Sequence, residues 1–117
     1  YTPKYNRKWS NNKQTVYEKK NWSSLMMFNN EHTDCRKLNI TNVNEQSGLW
    51  LHQFKWTEHV GSIPLSYNFL VGEYDKEQDI DAYHFTNGCP IFDDCKTQDF
   101  ANEWLNDYSN YKSSLSK

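Results

Sequence analysis

The chain has 117 residues, 36% of them hydrophobic and 24% charged, which supports one domain with a modest core and not two. A formal net charge of −2 offers no basic face to offset phosphates, so nucleic acid is excluded as a partner on charge. No apolar run is long enough to span a membrane and no charged-then-apolar leader is present, so the expected location is cytoplasmic.

The first residue is Tyr1 and not Met, and it runs directly into Thr2-Pro3, which reads as a piece of a longer protein. Residues 1–20 mix Lys4, Arg7, Lys8, Lys13, Lys19 and Lys20 with Tyr5, Trp9 and Tyr17. Solvated loops carry such charge more often than nucleic-acid arms do, and a loop with a turn at Asn11-Asn12 is expected. Residues 25–28, Leu-Met-Met-Phe, are a continuous apolar run bounded by Ser and Asn, which predicts a central strand covered on both faces. From Asn39 to Phe54 the residues Val43, Ser47, Trp50, Leu51 and Phe54 recur at helical spacing, predicting one helix with Asn39 as its N-cap. Gly48 inside that helix costs roughly 1 kcal/mol against Ala, which points to close packing or a ligand near the backbone. His52 and His59 have no evident partners and read as surface residues.

Residues 61–70 are expected to be extended, since Pro64 turns Ile63 away from helix. Residues 72–81 read as an acidic turn, in which Asp79-Ile80-Asp81 spells an acid-x-acid pattern but reads as solvated loop acids. Next, Tyr83 and Phe85 flank His84 with strand alternation, and Asn87, Gly88 and Pro90 then bend the chain. A histidine at a strand end, followed by the exposed N–H groups of a Gly-containing turn, is a place to hold a metal ion and a phosphate. The ordinary reading of such a histidine is a packed or surface side chain. Cys35, Cys89 and Cys95 are odd in number and widely placed, which argues for free thiols. His84, Cys89 and Cys95 match no zinc spacing and lack a fourth ligand. A final helix places Phe100, Trp104, Leu105, Tyr108 and Tyr111 on one face, with Thr97 or Gln98 near its start, and residues 112–117 are expected to fray. On residues alone the chain is an α/β domain.

Four stretches add a resemblance: residues 21–29 (Asn-Trp-Ser-Ser-Leu-Met-Met-Phe-Asn), 47–56 (Ser-Gly-Leu-Trp-Leu-His-Gln-Phe-Lys-Trp), 63–74 and 83–90 (Tyr-His-Phe-Thr-Asn-Gly-Cys-Pro). Together and in this order they resemble a bacterial and phage branch of the glycogenin-like glycosyltransferases. The resemblance implies an α/β chain that is the C-terminal part of a GT-A fold, a mixed sheet with flanking helices, over residues 1–111. It implies transfer of a sugar from a nucleotide-sugar donor such as a UDP-sugar to a carbohydrate or other acceptor, with Mn2+ or Mg2+. A divalent ion and turn amides would stabilise the charge gathering on the departing nucleoside diphosphate.

Carried over residue by residue, the resemblance makes His84 a metal ligand and Asn87 and Gly88 diphosphate contacts. Asn21, Trp22, Ser23 and Ser24 would line the sugar pocket, and Glu45 with Gln46 would stand near the reacting sugar as the catalytic pair. The nucleotide-binding half, with its Asp-x-Asp, is not present in these residues, so the chain alone is expected neither to bind nucleotide well nor to turn over. Ser24, Cys89 and Ile91 differ from the family pattern, and with the many aromatics they motivate an alternative, a non-catalytic carbohydrate-binding or virion-associated α/β domain.

Overall fold

A computed structural model describes residues 1–75 and 79–116. Its contacts group into two compact units, one of Tyr1–Thr2 with Val16–Ile63 and the other of Pro3–Thr15 with Pro64–Lys117.

In the first unit, Asn39 caps helix α1, Ile40–Glu45, its side chain accepting from the Asn42 N–H at 2.9 Å. The single helix expected over 39–54 is in fact two. Gln46 turns extended, and Ser47 starts helix α2, Gly48–His52, by accepting from the Trp50 N–H at 3.1 Å. A serine hydroxyl competes well for helix-end amides, so Ser47 opens a new helix where periodicity alone would continue the old one. Gly48 is therefore a first-turn residue, and a Cβ there would meet nothing within 4 Å, so close packing does not explain it. Only the second part of the expected stripe is inward: Phe54 is buried and Trp50 and Leu51 half-buried, while Val43 is exposed.

Residues 25–28 are a second correction. They form no strand, and Met27 is 86% exposed. A β-strand is stabilised by a partner in register, and this run follows the 3-10 turn Trp22–Ser24 with no ladder to join. Phe28 of this run packs on Trp56, with ring centroids 6.0 Å apart. Trp56 and Phe54 supply the buried apolar centre of this unit.

In the second unit, the 3-10 turn Leu65–Asn68 leads into strand β1, Phe69–Leu70, which pairs in parallel with strand β2, Tyr83–His84. The strand at His84 is thus present, but of the extended segment expected over 61–70 only Phe69–Leu70 is strand, because Leu65–Asn68 coil into the 3-10 turn, and each strand is only two residues long. Phe69, Leu70 and Val71 are almost wholly buried. Phe100 meets Phe69 edge-on at 6.2 Å and stacks on Tyr83 at 4.4 Å. Helix α3, Ala101–Ser114, follows Phe100, which takes a left-handed backbone with φ 58°. Trp104, Leu105 and Tyr108 on its expected inner face are half-buried, whereas Tyr111 is exposed, and residues 112–114 remain helical. Lys117 of the expected tail, and Lys76, Glu77 and Gln78 of the expected acidic turn, lie outside the described residues. Asp79 and Asp81 lie in a loop. The first twenty residues are mostly loop, with a 3-10 turn at Trp9–Asn11 and one bridge between Arg7 and Lys13.

No helix among the described residues is long and apolar enough to cross a membrane.

The burial pattern predicts opposite outcomes for two apolar truncations. Phe69→Ala should cost about 3–5 kcal/mol by denaturant unfolding. Met27→Ala should change stability by less than about 0.5 kcal/mol.

Candidate functional sites in the two units

The turn after β2 is built around Asn87. Its carbonyl oxygen Oδ1 accepts from Gln14 Nε2 at 3.0 Å, and its Nδ2 donates to Glu73 Oε1 at 2.9 Å. Glu73 is buried, and its other oxygen accepts the Lys4 N–H at 2.7 Å. The Asn87 backbone oxygen also accepts the Trp9 N–H at 2.8 Å. A buried carboxylate is tolerated because both oxygens are satisfied, and in satisfying them it pins the 3–15 segment against the turn.

Gly88 follows with φ 135°, and a Cβ on it would lie 2.6 Å from Trp9 Cβ and 2.7 Å from Cys95 Sγ. Glycine is required here by both conformation and space. Gln98 Nε2 donates to the Gly88 carbonyl at 2.8 Å. The Asn87 amide and the Gly88 carbonyl are therefore already committed to holding the turn.

His84 Nδ1 lies 2.9 Å from Asn68 Oδ1. With that oxygen as acceptor, the proton sits on Nδ1 and the Nε2 lone pair is left for a ligand. Burial, and then the positive charge of Lys8, push the imidazole pKa below its ordinary 6.5, so the ring is neutral at physiological pH. An open cleft of about 270 Å³ in the same unit is lined by Arg7, Lys8, Trp9, Gly72, Asn87 and Gln98 among others. Arg7 Nη1 donates to the Asn11 carbonyl. Lys8 forms no ion pair among the described residues.

Toward Mn2+ or Mg2+, His84 would offer a single ligand, and one imidazole does not hold such an ion. Among the described residues no group of three His, Cys, Asp or Glu ligands includes it, and Cys89 and Cys95 do not assemble with it into one. All three thiols are free.

The remaining expected site residues fall in the first unit. Asn21, in a left-handed conformation with φ 64°, opens the turn Trp22–Ser24. Trp22 is exposed, Ser24 Oγ donates to the Asn21 carbonyl at 2.6 Å, and Ser23 Oγ is hydrogen-bonded to His52 Nδ1. Glu45 and Gln46 are exposed at the break between α1 and α2.

A cluster not anticipated from sequence lies in this unit. Asp34, in the 3-10 turn Thr33–Lys37, is buried and accepts from Thr57 Oγ1 at 2.7 Å and from His59 Nδ1 at 3.1 Å, both on Oδ2, while Lys37 Nζ sits 2.6 Å from Oδ1. The Lys37 ammonium first, then the Thr57 and His59 hydrogen bonds, hold its carboxyl well below the usual carboxylate range. The His32 and His59 rings are 4.8 Å apart, so His59 has partners after all. The short His-x-Asp spacing at 32–34 was the visible half of this signal. His59 enters only through the fold.

No family model and no solved structure matches the chain. It is 42% identical over 118 residues to Protein CDI of Arabidopsis thaliana, an alignment that covers 95% of this chain and 46% of that protein. The chain thus spans about half the length of the curated relative it matches.

Two outcomes test the His84 turn. Gly88→Ala should destabilise the protein by about 2 kcal/mol or more, read from the denaturant midpoint, because the added methyl meets Trp9 and Cys95. Because the folded-state pKa of His84 is depressed, the unfolded chain binds the extra proton first. Its contribution to stability is full above pH 6.5 and is lost as the pH falls through 6.5 toward the folded value. Denaturation of the wild type and of His84→Gln, compared across about pH 7.5 to 5.5, should show a shallower loss in the variant.

Proposed function

We propose that the chain is part of a metal-dependent glycosyltransferase that moves a sugar from a nucleotide-sugar donor to an acceptor, and that it forms the C-terminal part of a GT-A fold. The observation that carries this reading is the His84 turn: a neutral imidazole with its Nε2 lone pair available, in the same unit as a cleft lined by Arg7 and Lys8, which forms no ion pair among the described residues. The two cations would bind the donor diphosphate beside the Asn87-Gly88 turn, and Trp9, stacked on Phe92 at 4.3 Å, gives that cleft a rigid wall. His84 would supply one ligand to Mn2+ or Mg2+, with the remaining ligands outside this segment; the ion, when bound, would supply positive charge to the departing diphosphate.

In this reading Asn21, Trp22, Ser23 and Ser24 contact the sugar and Glu45 and Gln46 stand near the reacting centre. The free thiols support a reducing, cytoplasmic setting. A second reading, a non-catalytic carbohydrate-binding domain, is favoured by Trp22, which leaves 47% of its surface exposed next to Asn21.

Binding and turnover separate the two. Inorganic pyrophosphate added to the chain at millimolar concentration should shift the amide resonances of Trp9, Asn87 and Gly88, and Lys8→Ala should weaken that binding about tenfold. In a longer polypeptide containing this segment, manganese-dependent hydrolysis of UDP-sugars should fall at least about a hundredfold in His84→Ala. Unshifted turn resonances together with a wild-type rate in His84→Ala would overturn the transferase reading. A simple sugar that quenches Trp22 fluorescence, with no hydrolysis by the longer protein, would favour the binding domain.

A further inference from the structure

We infer that His32, Asp34 and His59 form a binding site for a divalent transition-metal ion of the zinc class, in the first unit and independent of the glycosyl-transfer reading. One ligand atom from each of the three residues lies within 4.8 Å of the other two. Ligands at about 2.1 Å from a common ion stand roughly 3.0–3.5 Å apart, so closure needs only ring rotations of the order of an ångström. His59 can make them, since its side chain is 72% exposed, and His32 is partly exposed as well.

The hydrogen bonds already prepare the donors. An ionised carboxylate only accepts, so in the 3.1 Å contact His59 Nδ1 carries the proton when no ion is bound; an ion would take the place of that proton between Nδ1 and Asp34 Oδ2, with the ring proton moving to Nε2. His32 Nδ1 accepts the Asp34 N–H at 3.2 Å, so this ring is unprotonated at that atom, and metal binding exchanges this one hydrogen bond for a coordinate bond. Thr57 Oγ1, at 2.7 Å, holds the Asp34 carboxylate in place from the opposite strand of chain. Lys37 balances the Asp34 charge when no ion is bound, and its half-exposed side chain is free to withdraw when one is.

Two imidazoles and one carboxylate suit zinc and its neighbours in the first transition series over magnesium or calcium, which prefer all-oxygen shells. Three protein ligands leave at least one coordination position for water. The ion would also tie the turn Thr33–Lys37 to residues 57–59, in a unit whose buried apolar side chains are few.

Zinc and cobalt titrations of the metal-stripped chain, with thiols alkylated beforehand so that Cys35, Cys89 and Cys95 cannot compete, test this site. One equivalent of zinc should bind and raise the melting temperature. His59→Ala and His32→Ala should each weaken zinc binding at least about tenfold. Substoichiometric Co2+ on the unmutated protein should broaden the ring resonances of His32 and His59 and spare those of His52 and His84, a readout that does not depend on any variant folding. Absence of stoichiometric binding, equal affinity in His59→Ala, or broadening centred on His52 or His84 would overturn the assignment.

Discussion

The buried Glu73 carboxylate and the Asn87 amide together are what the second unit depends on. A charge taken out of water is costly unless each of its oxygens is satisfied, and here the satisfying groups come from residues remote in sequence, Lys4 and Asn87. Asn87 then passes the constraint on to Gln14. The two-residue strands contribute few ladder bonds, so this polar clasp and the aromatic contacts of Phe69, Phe100 and Tyr83 do the positioning. The Gly88 turn, with Trp9 and Cys95 closed over it, follows from that arrangement.

The first unit repeats the principle with different chemistry. Its apolar centre is little more than Phe54 and Trp56, and Asp34 gathers Thr57, His59 and Lys37 around one carboxylate. Both units therefore use a satisfied acid to join segments that a larger hydrophobic core would otherwise join. In each, imidazoles lie close to the polar cluster: His84 beside Asn68 near the turn, and His32 and His59 at Asp34 itself. Polar organisation of this kind gives specific geometry at modest stability.

Much of the local structure was legible from neighbouring residues. Asn39 as a helix cap, the strand containing His84, the bend at Asn87-Gly88 and the aromatic face of α3 all rest on backbone chemistry or periodicity acting over a few positions. The readings that did not hold needed partners. Residues 25–28 have the composition of a buried strand and yet remain exposed, because no strand among the described residues pairs with them. Ser47 split a helix whose hydrophobic spacing ran through it, because the hydroxyl capped a new one.

By itself the sequence determined the α/β character of the chain, the helix cap at Asn39, and His84 as a histidine at a strand end before a glycine turn, since these depend on contacts between residues close along the chain. Only the tertiary structure decided which proton His84 carries, through Asn68, and which cations line the cleft in its unit. It alone brought His59 to Asp34 across more than twenty residues. Hydrogen bonds and ligand sets form between atoms a few ångströms apart, and a linear order of residues records that proximity only when the partners are neighbours along the chain.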